Sequence, residues 1–337
     1  MTQVESPQPP SFQDELTETL KLAWPLALAF GGDQLLGVVD SLVAGRMGPV
    51  ALAAVGVGNA VFMGMTILGV GFVGAVEPLA SQAFGAGQPR KAHLAYRSAV
   101  LFSLLSTIPF MLGLEQVAAL VGTWGTLEPA MKTAVQDYLF MRGFSVLPLF
   151  LYAAARNFLQ SKRDTRAIVW STIVANLLNI PLSIFLGFGD GGLTAAGVPA
   201  IGLGDGLGVA GIGLASTLVS VFRFTVLWHR ISSVDTAERS YGGAWSGLGP
   251  LMRVGWPIGL HWFIEVGVFV TVTVLAGRFG TETVAAHQVA LQLSTVTFCI
   301  CLGLSSAATV RVGHAVGARK TDNVLRSGLT AVAAAVL

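Results

Sequence analysis

The sequence predicts an all-α polytopic membrane protein, on three observations. First, 53% of the 337 residues are hydrophobic, only 11% are charged, and the mean hydropathy is +0.70. A soluble domain carries roughly a quarter charged residues, so this chain cannot cover itself with polar surface. Second, apolar runs of about 20 residues, each long enough to cross a bilayer as a helix, recur from end to end. They are continuous rather than alternating, which favours helices over a barrel. Third, the chain repeats itself: a shift of 256 − 24 = 232 residues places Trp24-Pro25 on Trp256-Pro257 and Ala44-Gly45-Arg46 on Ala276-Gly277-Arg278. The same shift, without a gap, sets Gly48 on Gly280, Ala83 on Ala315 and Gly85 on Gly317. It also sets Asp33 on Glu265, a carboxylate at the same depth of both copies.

In chain order, residues 1–20 read as a polar, acidic cytoplasmic tail without the basic region of a cleaved signal peptide. Nine spans are expected, near 23–44, 51–83, 96–121, 132–159, 167–188, 208–229, 254–277, 283–312 and 324–337. The second and eighth are long enough to tilt or to extend beyond the bilayer. Six spans separate the copies, so both insert the same way up, as parallel repeats about an axis along the membrane normal. The domains expected are a first lobe of six helices at 21–230, a linker at 231–250 and a partial second lobe at 251–337. A second repeat as long as the first would need about 130 further residues, so the second lobe reads as incomplete, ending in the apolar run LTAVAAAVL.

Orientation follows from basic residues in the short loops. Arg90, Lys91, Arg97, Lys162, Arg163, Arg166, Arg319 and Lys320 flank the even-numbered loops, whereas Arg46, Lys132 and Arg278 are the sparse basic residues on the other side. The even loops and the N-terminus are therefore expected in the cytoplasm. The two cysteines, Cys299 and Cys301, lie in an apolar run without a zinc pattern and read as packing residues.

Ionisable and polar residues at bilayer depth are costly and mark function when they face a partner or a cavity. Asp33 and Asp40, seven apart, share a face of the first span; Asn176 and Asn179 lie in the fifth; Ser216 and Thr217 lie in the sixth. Such oxygens suit a small hard cation, or a carboxylate that holds a proton. Glu265 lies mid-span with His261 one turn earlier, a pair able to exchange protons. Glu77 precedes Pro78, where a helix break frees backbone carbonyls. For each of these the competing reading is a hydrated or structural hydrogen-bonding residue. Asn157, Gln82, His287 and Gln288 read as ordinary interhelical hydrogen-bonding residues. Two matches to G-x-G-x-x-G, at Gly69–Gly74 and Gly206–Gly211, lack the preceding strand of a dinucleotide site and read as close-packing positions. No cofactor and no nucleic-acid partner are expected, and without a Walker A motif the driving energy falls to an ion gradient.

Several ordered motifs resemble one family. VDSLVAGRMGPVALAAVGVGNAV and EPLASQAFGAGQPRKA are similar to the first two helices of the multidrug and toxic compound extrusion (MATE) family. NFLQSKRDT, NLLNIPLSIFLGFG and GVAGIGLAST resemble its fourth to sixth, and GWPIGLHWFIEVGVFVTVTVLAGRFGTETVAAHQVA its seventh and eighth, in the NorM-like branch. The resemblance implies two six-helix lobes forming a V around a central cavity. It also implies Na+- or H+-coupled antiport of organic, often cationic, compounds by alternating access, from a monomer in the cell inner membrane. The family's first-helix acid maps to Asp40, its helix-five asparagine to Asn179, and its helix-six hydroxyl to Ser216, with Thr217 one residue on. Those first three would hold Na+. The seventh-helix glutamate maps to Glu265, and the helix-ten acid lies beyond Leu337. Asn176, His261 and Glu77 are the candidates for the substrate cavity, and Asp33 is picked out by the internal repeat alone.

Two alternatives share the architecture: a lipid-linked saccharide flippase, which favours cationic residues in its cavity, and a non-transporting truncated paralogue. Arg223 is the one such cation that the sequence reading places within a span. An enzyme is not expected, because His261, His287 and His314 show no H-E-x-x-H spacing.

Overall fold

The computed structural model describes residues 12–123, 129–195, 204–234, 243–277 and 281–336. They form twelve α-helices: α1 (Phe12–Met47), α2 (Pro49–Gly74), α3 (Val76–Gly85), α4 (Pro89–Thr123), α5 (Pro129–Gly143), α6 (Val146–Ser161), α7 (Arg166–Phe188), α8 (Asp190–Ala195), α9 (Val209–Val234), α10 (Leu248–Gly277), α11 (Thr281–Gly317) and α12 (Thr321–Val336). The stretch 1–11, most of the link before α10 and the turn 278–280 lie outside the described residues.

Proline sets several boundaries. Pro49, Pro89 and Pro129 open α2, α4 and α5, where the missing N–H costs nothing. Inside a helix, the proline ring clashes with the carbonyl four residues earlier. Pro78 accordingly breaks the chain at Ala75 between α2 and α3, and Pro148 breaks it between α5 and α6, whose axes meet at 48°. The first of these breaks was anticipated at Glu77-Pro78; the second was not.

Among the described residues, seven helical segments are long and apolar enough to cross a membrane, or eight when α5 and α6 count as one bent span. Of the nine expected, the last falls on α12, of which 16 residues are described. The long second and eighth segments are as expected, with 37 residues across α2–α3 and 37 in α11. The first helix already begins at Phe12, inside the stretch read as a tail.

The bundle is built around α6, every residue of which from Phe150 to Ser161 is buried. Helices α2, α4 and α9 surround it, with α5 and α7 in the next contacts outward. Large apolar side chains such as Trp24, Leu42, Ile108, Trp170 and Leu293 instead point outward, as a lipid solvent requires.

The internal repeat is visible as geometry. The starts of α11 and α12 and the end of α11 fall 232 residues after the starts of α2 and α4 and the end of α3. Packing follows the same relation: α11 lies against α1 and α3, while α10 lies against α2. A β-carbon on Gly71 would collide with the Gly259 backbone, and one on Gly303 with the Ala27 backbone. Shifting Gly71 and Ala27 by 232 gives Gly303 and Gly259, so these are one contact seen twice across a pseudo-two-fold axis. The axis passes through the pair Ser81 and Gly313, which the shift maps onto each other, with Gly313 pressed against the Ser81 side chain. The first G-x-G-x-x-G match is thus a packing surface. In the second, Gly206 and Gly208 hold φ of +73° and +58° in a tight return against the end of α7.

Candidate functional site

Three of the residues singled out in the sequence meet at one point. Asp40, on α1, is buried to 2% exposure among α7 and α9. The Asn179 side-chain amide donates to Asp40 Oδ1 at 2.9 Å, and the Ser216 hydroxyl donates to Oδ2 at 2.5 Å. A carboxylate so deep persists only with such partners. Ser183, one turn beyond Asn179, and Arg142, on α5, are its next polar neighbours. Arg142 also lies over the Phe62 ring at 4.6 Å. Sequence reasoning missed both. The i, i+4 spacing of Asn179 and Ser183 on α7 was the available signal for the first.

Two oxygens at this point have no hydrogen-bond partner: Asn179 Oδ1 and Ser183 Oγ. With the Asp40 carboxylate and Ser216, they make an all-oxygen donor set of one charge, of the kind that suits a small hard cation. The Asp40 carboxylate alone is a proton acceptor. Among the described residues no group of three or more His, Cys, Asp or Glu side chains is arranged for a metal ion.

Thr217 does not join this point. Its hydroxyl turns the other way, donating toward the backbone carbonyls of Met141 and Gly213 at 2.9 and 3.0 Å.

Asp33 forms a separate cluster two turns earlier on α1. It accepts from Arg156 of α6 at 2.9 Å and from Arg223 of α9. Arg223 also bonds the Tyr152 hydroxyl and lies over that ring, and Arg156 stacks on Phe30 at 4.8 Å. Arg223 is therefore not the lone cation within the spans: Arg142 and Arg156 lie in helices too, and Arg156 is buried. Each of the three faces a carboxylate, so the sequence reading is corrected in number while no uncompensated cationic lining results.

Glu265, the repeat counterpart of Asp33, has none of that company. Its carboxylate is 34% exposed, with His261 Nε2 4.0 Å away and that ring 73% exposed. Asn176 is engaged with backbone. Its amide donates to the Gly32 and Thr172 carbonyls at 3.0 and 2.9 Å, fastening α7 to α1. Glu77 lies between α3 and α11, where it accepts from Ser306. Asn157 makes the expected interhelical bond, to the Val73 carbonyl at 3.4 Å. Cys299 and Cys301 are free thiols, one buried and one exposed. The Gln288 side chain lies outside the described residues.

The MatE family model matches residues 25–185 and 257–337, most of the chain and both copies of the repeat. The chain belongs to the MatE family. Its membership makes it a membrane transporter protein rather than an enzyme. It is 32% identical over 329 residues to a probable multidrug resistance protein NorM of Synechocystis sp., covering 96% of this chain and 69% of that one. It is 29% identical over 310 residues to the multidrug resistance protein NorM of Vibrio cholerae, covering 92% of this chain and 66% of that one. The MatE chain thus spans about two thirds of the length of such relatives. Its fold matches a crystal structure of the eukaryotic MATE transporter AtDTX14 with a TM-score of 0.83 at 18% identity, covering 96% of this chain and 70% of that one.

Proposed function

We propose that this protein is a secondary active efflux antiporter that exports organic, often cationic, compounds in exchange for Na+ or H+. The observation that carries this reading is the buried carboxylate of Asp40, held by Asn179 and Ser216 on two other helices. An ion or proton taken up there removes a buried negative charge, and the packing of α1 against α7 and α9 responds. In the first lobe, Asp40, Asn179, Ser183 and Ser216 would hold the coupling ion. In the second, Glu265, with His261 4.0 Å away, would take up the coupling ion or proton. Alternating access then exchanges the two: the ion enters at the face where the substrate leaves, and it is released at the face where the next substrate binds. The names of the NorM relatives, which describe multidrug resistance, support this substrate class.

The basic even-numbered loops support an inner-membrane protein with a cytoplasmic N-terminus; action as a monomer is part of the same reading. The second lobe would be completed by helices beyond those described.

The test is dye efflux from vesicles under an imposed Na+ or pH gradient, using full-length protein. Asp40→Asn keeps the shape and removes the charge that changes. Gradient-driven efflux is expected to fall at least about tenfold, because the ion loses a charge-assisted partner. Unchanged gradient-driven efflux in this variant would refute the assignment.

A further inference from the structure

The contacts between the two copies of the repeat are unevenly distributed along the membrane normal, and the polar ones gather at the end that carries the basic loops. Helix α11 presents a stripe at spacings of three and four: Gly303, Ser306, Val310, Gly313 and Gly317. Gly303 touches the α1 backbone, Gly313 the Ser81 side chain and Gly317 the Gln82 carbonyl, while Val310 is wholly buried. Among these small residues sit three polar ties from α11 to three different helices. Ser306 donates to the Glu77 carboxylate of α3 and lies 3.5 Å from Gln160 Oε1 of α6. His314 Nε2 lies 2.8 Å from the Ser161 carbonyl at the end of α6. Arg311 pairs with Glu15 of α1, with side chains only 11% and 8% exposed. Ser161 in turn donates to the backbone carbonyl of Glu77 at 3.0 Å, so the break after α2 is tied into the same group.

Toward the opposite end the copies part. Beyond the Gly71–Gly259 contact, a cleft of about 280 Å³ opens between Val61 and Met65 on α2 and Phe263, Val266 and Val270 on α10. Further along α11, Leu293, Val296 and Phe298 are exposed.

We infer that Glu77 with Ser306, together with the Glu15–Arg311 ion pair, forms a latch that holds the repeats together at the basic-loop end and must open before that face can admit a ligand. The polar ties are side-chain pairs set among small residues, so they can be exchanged for water when the helices part. Glu77 is then a gating residue rather than part of a substrate cavity, because its carboxylate binds across the repeat interface. Glu15 and Arg311 have no counterparts under the 232-residue shift, since Gly247 and Leu79 stand there. The latch is therefore an addition to the symmetric packing and not a consequence of it.

This inference rests on the two-lobe transport reading, but its test needs no substrate or gradient, so it can fail while the efflux test succeeds, and the reverse. In full-length protein with Cys299→Ser and Cys301→Ser, Val310→Cys supplies a reporter thiol on the buried stripe. A small membrane-impermeant methanethiosulfonate is applied from the basic-loop side. The parent is expected to label slowly. Arg311→Gln and Glu77→Gln are each expected to raise the labelling rate about tenfold, the effect of losing one hydrogen bond to a charged group. The charge-swapped pair Glu15→Arg with Arg311→Glu is expected to return the rate near the parental value, which separates latch opening from misfolding. Rates within about twofold of the parent in both single variants would overturn the latch. A swapped pair that labels as fast as Arg311→Gln alone would overturn the ion pair's part in it.

Discussion

Neighbouring hydroxyls on α9 have opposite assignments, and the difference is a matter of about 100° of helix rotation. Ser216 points at Asp40, whereas Thr217 is spent on backbone carbonyls of Met141 and Gly213. Ser216→Ala is therefore expected to weaken the ion dependence of efflux at least about fivefold, the loss of one charge-assisted hydrogen bond. Thr217→Val is expected to leave that dependence in place and to lower stability by about 1 kcal/mol. Efflux titrated against Na+ and against pH in both variants checks the pair; equal effects would remove the distinction. The sequence could bring Asp40, Asn179 and Ser216 forward as types because oxygen-bearing residues in apolar spans are few. It could not choose between 216 and 217, since a span hydrophobic on most sides leaves no periodicity to fix which residue faces inward. Asp33 shows the complementary limit. The repeat placed it opposite Glu265, but its two arginines come from α6 and α9, more than a hundred residues away, so its ion pairs exist only after folding.

At the scale of helices, proline and glycine explain most of what composition cannot. The breaks at Ala75 and Ser145 each lie three residues before a proline. Only the first was drawn from the sequence, because Glu77 had already drawn notice to its proline. Glycine is harder to read in a chain with 41 of them. Most of their context is invisible until partner helices are in place. Gly303 and Gly56 illustrate the contrast. A β-carbon at Gly303 would lie 2.6 Å from Ala27 N and 2.7 Å from Ala23 O, rigid backbone on α1, whereas one at Gly56 meets nothing within 4 Å. Gly303→Ala should therefore destabilise the fold by about 1–3 kcal/mol through overpacking. Gly56→Ala should be neutral or stabilising by up to about 1 kcal/mol, because alanine is the better helix former. Thermal unfolding in detergent reads both; a Gly303→Ala protein as stable as the parent would show that α1 and α11 do not depend on this approach.

For the molecule as a whole, the pseudo-two-fold relation makes the centre of the interface predictable in a way that its edges are not. Ser81 and Gly313 occupy the axis, so a link between them ties both copies with one bond. The β-carbon that Gly313 lacks would lie 2.6 Å from Ser81 Cβ. A disulfide prefers about 3.8 Å between these atoms, so α3 and α11 need part by only about 1 Å to accept one. The variant Ser81→Cys with Gly313→Cys, in a Cys299→Ser and Cys301→Ser background, is expected to form that disulfide under mild oxidation. If transport requires the repeats to separate at the basic-loop end, oxidation should stop efflux and a reductant should restore it. The reduced variant supplies its own control, because any packing damage from the two new side chains persists whether or not the bond is made. Efflux that continues after complete oxidation would mean that ions and substrate pass without separation of α3 from α11, and alternating access about this axis would have to be given up. The asymmetry between a tied end and a parted end favours the other outcome: a bundle whose described polar contacts between the two repeats gather at one face, with a cleft at the other, rests in one of the two states that such a cycle requires.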